Sequence, residues 1–130
     1  MADFNEQQHR AAYEAMAKGD TAQLGALLAN DYVQHIPSWG LTVRGRERTL
    51  ELVSRIVDRL QIADLRLERV EQHGDFVVSF VSGRSPLRPD EFHGVDVARG
   101  GSDGLAAEGW VHRAPLPDGI DIRQLLDWHD

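Results

Sequence analysis

The sequence predicts an α+β domain in which helices pack on one face of a curved antiparallel sheet that folds over them as a cone. Three observations point to it. Apolar residues recur at three- and four-residue spacing through the first half of the chain, and the period switches to two from Leu65. Gly and Pro then divide the second half into short segments. The 130 residues suit a single domain, 1–130, with a core from 5 to 113 and a tail from 114 to 130.

Asn5 to Lys18 is rich in Ala, Gln and Glu, sets Ala12, Ala15 and Met16 on one stripe, and is followed by Gly19 as a stop. Asp20 opens a second helix, because its carboxylate can accept from the Gln23 N–H while Leu24, Leu27 and Leu28 form an apolar face; this helix is predicted to end near Asn30. Asp31 to Ile36 reads as a short strand or extended turn before Pro37. From Gly45 to Gln61, Leu50, Val53, Val57 and Leu60 mark the longest helix, with Glu51 and Arg55 as an i, i+4 pair.

Leu65 and Leu67 then alternate with Arg66 and Glu68, Gly74 and Asp75 turn the chain, and Phe76 to Val81 returns as a hairpin partner. After a loop with Pro86 and Pro89, Phe92 to Arg99 and Leu105 to Arg113 form two more strands around a Gly100 to Gly104 turn, and Pro115 and Pro117 close the sheet. The tail carries Ile120, Ile122, Leu125, Leu126 and Trp128, too apolar for solvent. It can cover its own pocket, seal a dimer or add an edge strand.

Fourteen Lys and Arg against 21 Asp and Glu leave a net charge of −7, which repels a phosphate backbone or an anionic leaflet, so neither nucleic acid nor membrane is expected as a partner. The densest basic stretch, Arg44, Arg46 and Arg48, reads as the solvated start of the long helix. With no cysteine, disulfides, thiolate nucleophiles and Cys-ligated metals are excluded. Asp3 and Glu6 interrupt the first ten residues and no stretch reaches spanning length, so a cytoplasmic protein is expected. The six histidines, at 9, 35, 73, 93, 112 and 129, lack metal-ligand spacing, and Asp127, His129 and Asp130 read as a solvated terminus; no metal is expected. No nucleophile elbow or phosphate cradle occurs, and no cofactor is expected.

Three segments carry a family likeness. The first is Gly19-Asp20 with Leu24, Leu27 and Leu28, followed by Asn30-Asp31-Tyr32-Val33-Gln34-His35-Ile36-Pro37. The second is Gly45-Arg46-Glu47, and the third joins Val95-Asp96-Val97-Ala98-Arg99 through a Gly-rich turn to Glu108-Gly109-Trp110. On these the chain resembles the SnoaL-like polyketide cyclase group of the nuclear-transport-factor-two-like superfamily, from about residue 5 to 113. The resemblance implies the cone-shaped fold, cofactor-free acid/base chemistry in its pocket, and a homodimer through the outer sheet face with Trp110 and Phe76 to Val81 as contacts. The group's closing E-H-W-D is Glu108-Gly109-Trp110-Val111 here, so the usual pocket acid is missing. Asp96 stands at or near the position of the cyclases' functional His and is left to move protons.

His35, with an ordinary pKa of about 6.5, is the leading catalytic candidate; its alternative role is to fix the turn before Pro37 through a backbone carbonyl. Asp96 lies on the opposite face from Val95 and Val97, so inward it is a general acid or base of raised pKa and outward a surface charge. Gly109 and Val111 share one face, opposite Glu108, Trp110 and His112. If they line the pocket they enlarge it and make it apolar, and Trp110 packs on the other face or at a dimer contact. Tyr13, Tyr32 and Trp39 can hold a planar ligand; otherwise the tyrosines are core and Trp39 an exposed loop tip.

The function expected is that of a SnoaL-like enzyme that cyclises, isomerises or hydrates an apolar polyketide-like or terpenoid-like molecule. His35 and Asp96 would serve as acid and base, and Tyr13, Tyr32, Trp39 and Val111 as binding residues. The alternative is a non-catalytic hydrophobic-ligand-binding or dimerising module of the same fold, and epoxide opening is a third possibility.

Overall fold

The computed structural model describes residues 4–101, 103–114 and 116–129. Helix α1, Glu6–Lys18, begins with a reciprocal cap: Asn5 Oδ1 accepts from the Gln8 N–H at 3.1 Å, and Gln8 Oε1 accepts from the Asn5 N–H at 2.8 Å. It ends at Gly19, whose φ of 72° suits a residue without a Cβ. Asp20 caps the next helix by accepting from Gln23 at 3.0 Å, as expected, but α2 covers only Thr21–Gly25.

The apolar run that extends the second helix in the sequence goes instead into a nine-residue strand, β1, Leu28–Ile36. The reason is tertiary. The Ala106 N–H donates to the Leu27 carbonyl at 3.0 Å and Leu28 pairs with Ala106, so a distant strand captures these residues before a third helical turn forms. A single 3₁₀ turn, Pro37–Trp39, reverses the chain into β2, Leu41–Arg44, a return strand too short for alternation to announce. Helix α3, Arg46–Leu60, follows.

The remaining strands are β3, Ala63–His73; β4, Phe76–Arg84; β5, Phe92–Gly100; and β6, Ala106–Arg113. They form one curved, unclosed sheet in the order β2-β1-β6-β5-β4-β3. All neighbours are antiparallel except β1 and β6, which run parallel. That exception to the expected antiparallel sheet arises because half the chain separates the two strands, so no tight turn dictates their direction. Pro115, expected to help close the sheet, lies outside the described residues.

The described part of the tail packs on the core of its own chain and adds no strand to the sheet. It forms α4, Ile122–Leu126, packed on α3, and buries Leu126 and Trp128 in a cluster with Ile36, Leu41, Val43, Leu52 and Leu60. A second cluster joins α1 and α2 to β1, β4, β5 and β6 through Phe4, Ala15, Leu24, Leu28, Tyr32, Val77, Ala98 and Ala106. Arginines of α3 hold the tail. Arg55 donates to the carbonyls of Leu126 and Asp127, and the Arg48 guanidinium lies 3.9 Å over the Trp128 ring. Arg48, read in the sequence as solvated, is therefore a packing residue.

Candidate active site

Between the helices and the concave sheet face lies a cavity of about 140 Å³ whose wall draws on both clusters. Strand alternation decides which residues reach it. In β6, Gly109, Val111 and Arg113 share the inner side; in β5 it is Asp96 and Ala98; in β1, Tyr32, Gln34 and Ile36. Helix α1 contributes His9, Ala12, Tyr13 and Met16.

Asp96 is buried at 3% exposure directly opposite Val111, and Arg113 binds its carboxylate with both terminal nitrogens, Nη2 to Oδ2 at 3.2 Å. Burial pushes the carboxyl above the usual carboxylate range, and the Arg113 charge and hydrogen bonds act against that shift. A buried acid poised in this way on an apolar cavity suits proton transfer.

Tyr13, Tyr32, Trp39 and Val111 all line this cavity. Tyr32 is buried, donates to Gln34 Oε1 at 2.7 Å, and has its phenol pKa raised, first by burial and then by Glu108. A Cβ at position 109 would lie 2.0 Å from the Tyr32 hydroxyl, so Gly109 makes room for that phenol rather than leaving the open space expected from its small size. Trp39 is half-buried, not an exposed loop tip, and its indole N–H is buried without a hydrogen-bond partner among the described residues.

His35 is elsewhere. It alternates with Gln34 and Ile36, so its ring stands on the outer sheet face, where Nε2 meets Glu108 Oε2 at 2.6 Å and Nδ1 meets Thr42 Oγ1 at 3.1 Å. Its ring stacks on Trp110, 5.4 Å between centroids, and Trp110 in turn approaches Phe76 at 6.4 Å. Glu108 is held below the usual carboxylate range, chiefly by the His35 hydrogen bond. The expected pairing of His35 with Asp96 as acid and base across one pocket is thus corrected: the two lie on opposite faces of the sheet.

Of the cavity residues that the sequence did not single out, three bear on its chemistry. His9, at 5% exposure, shares a hydrogen bond of 2.8 Å with Ser79 Oγ and sits 5.1 Å from the Tyr13 ring. Burial, with the Arg10 charge beside it, lowers its pKa to about 4, so at neutral pH it is an uncharged imidazole. Its signal was the helical spacing to Ala12, Tyr13 and Met16. Gln34 and Arg113 carried the same kind of signal, each two residues from an inward neighbour.

Among the described residues no group of three or more His, Asp or Glu is placed to hold a metal ion, and no helix is long and apolar enough to cross a membrane. Of the terminal acidic cluster, His129 Nε2 meets Asp127 at 3.1 Å, and Asp130 lies outside the described residues.

The family model of the SnoaL-like domain matches residues 9–109, from His9 in α1 to Gly109 in β6. The chain belongs to the SnoaL-like family. Among solved structures, this SnoaL-like chain is similar to an uncharacterized protein with a cystatin-like fold from Silicibacter pomeroyi. That match has a TM-score of 0.77 and 21% identity, over 92% of this chain and 82% of that one. A steroid delta-isomerase from Pseudomonas aeruginosa matches with a TM-score of 0.69 and 21% identity, over 95% and 88% of the two chains. An epoxide hydrolase from M. tuberculosis, described as LEH-like, matches at 0.66 and 20%, over 92% and 86%. At these identities the likeness is one of fold. No curated protein matches the chain.

Proposed function

We propose that this SnoaL-like protein is a cofactor-free enzyme in which Asp96 transfers a proton on an apolar, polyketide-like or terpenoid-like molecule enclosed between sheet and helices. Ring closure, isomerisation and hydration all need such a step. The observation that carries the reading is the placement of a buried, raised-pKa carboxyl at the wall of an apolar cavity, steered by a two-pronged arginine. The likeness in fold to a steroid delta-isomerase and an epoxide hydrolase supports the reading. Tyr13, Tyr32, Trp39 and Val111 would shape the space around the substrate. Tyr32, kept protonated by burial, stays a hydrogen-bond donor.

The test is deuterium incorporation from D₂O into activated C–H positions of ketone ligands, followed by NMR. Candidate ligands are those planar polyketide-like, terpenoid and steroid compounds that raise the unfolding midpoint. Asp96→Asn should slow exchange by about 10²-fold or more while ligands still stabilise the protein. Equal exchange in wild type and variant sinks the enzyme reading in favour of a hydrophobic-ligand-binding module.

A second copy of the chain is proposed to cover the outer sheet face. Phe76 and Phe80 are 40% and 37% exposed there, beside Trp110, and they form an apolar surface on a water-facing sheet.

A further inference from the structure

A second cavity of about 80 Å³ adjoins the first, and Met16, Trp39, Ile56 and Arg113 belong to the walls of both. Its lining is apolar except for Ser85, Arg88 and Arg113, with the indole N–H of Trp39 in the shared wall. The hydroxyl of Ser85 is committed, donating to the Leu60 carbonyl at 2.6 Å and accepting from the Leu87 N–H at 3.3 Å. Arg88 donates to the Ala114 carbonyl. No Asp or Glu lines this second cavity among the described residues, in a chain of net charge −7. The lining thus carries two guanidinium groups, and that of Arg113 is already paired with Asp96 of the main cavity.

Arg113 shows how that charge can be used. A guanidinium has five N–H donors arranged on a planar fork. Asp96 takes the end of the fork, Nη1 and Nη2, and the His112 carbonyl takes a further Nη1 hydrogen at 3.2 Å. The side edge, Nε with the remaining Nη2 hydrogen, meets no acceptor among the described residues, and the side chain keeps 16% of its surface accessible. An edge of this kind matches one more carboxylate.

We infer that Arg113 and the second cavity form a carboxylate subsite, so that the molecule this protein takes is an apolar carboxylic acid, its acid group on the free edge of Arg113 and its body in the cavity beside Asp96. The inference rests on the reading of the main cavity as a small-molecule site and adds its ligand class. Arg113 then has two duties, steering Asp96 and anchoring the ligand within reach of it.

Calorimetric titration at pH 7 with octanoate and with octan-1-ol tests both levels separately. A purely apolar cavity favours the alcohol, because the carboxylate must shed its hydration. The subsite instead predicts octanoate binding at least about tenfold tighter. The double variant Asp96→Asn with Arg113→Gln, which exchanges the buried ion pair for a neutral polar pair, should abolish that advantage. Arg88→Gln, which need not disturb Asp96, should weaken octanoate alone. If octan-1-ol binds as well as octanoate, or better, the subsite falls and the apolar cavity stands. If neither binds, both readings fall together. An octanoate preference that survives the double variant overturns the assignment to Arg113.

Discussion

A buried histidine that stays neutral is the most directly testable residue here. His9 has a pKa of about 4 in the fold against 6.5 when free, so between those values the unfolded chain binds more protons than the native one. Stability from this group is complete above about pH 6.5 and declines as the pH falls toward 4, by about 3 kcal/mol at 1.36 kcal/mol per unit. Urea midpoints at pH 7 and pH 4.5 should therefore converge in His9→Gln, and an unchanged gap would contradict the burial argument. At position 109, Gly109→Ala brings a methyl onto the Tyr32 hydroxyl and should cost about 1–3 kcal/mol, part of it recovered by adding Tyr32→Phe. His35→Ala should lower stability by about 1 kcal/mol, through the lost Glu108 and Thr42 contacts, yet leave ligand-induced midpoint shifts intact. A lost shift in a folded His35→Ala would return His35 to the site. The sequence shows Asp96 on the face opposite two valines, but it carries no mark for whether that face is concave, and the same ambiguity misplaced His35.

At the scale of elements, local chemistry and long-range pairing divide the outcome. Helix α1 keeps its predicted length because Asn5, Gln8 and Gly19 terminate it with contacts inside a few residues. Helix α2 loses its last turns because Leu27 and Leu28 bond to a strand nearly eighty positions away, which no local pattern can report. The tail obeys the same rule: its apolar residues demanded burial, and α3 supplied both the surface and the arginines. Helix α4 is short, and its last carbonyls rely on those donors. Trp128→Ala should cost about 3–5 kcal/mol in chemical denaturation. A cost below about 1 kcal/mol would show that the tail is an accessory rather than part of the core.

For the molecule as a whole, the sheet has one face sealed by helices and one carrying Phe76, Phe80 and Trp110 toward water. Sedimentation at micromolar concentration should give twice the 14.6 kDa chain mass, and Phe76→Glu with Phe80→Glu should return it to one. Wild type sedimenting as a single chain would remove the second copy from that face. Composition, period and caps by themselves determined the α+β class, the strand–turn pattern of the second half, the long helix and the exclusion of cysteine chemistry, because each depends on residues close in sequence. Only the tertiary structure decided which sheet face is concave, that β1 lies parallel to β6, that Arg113 grips Asp96, and that the tail closes its own core. Each of those depends on segments brought together across the chain, where curvature and packing set the partners and local sequence does not.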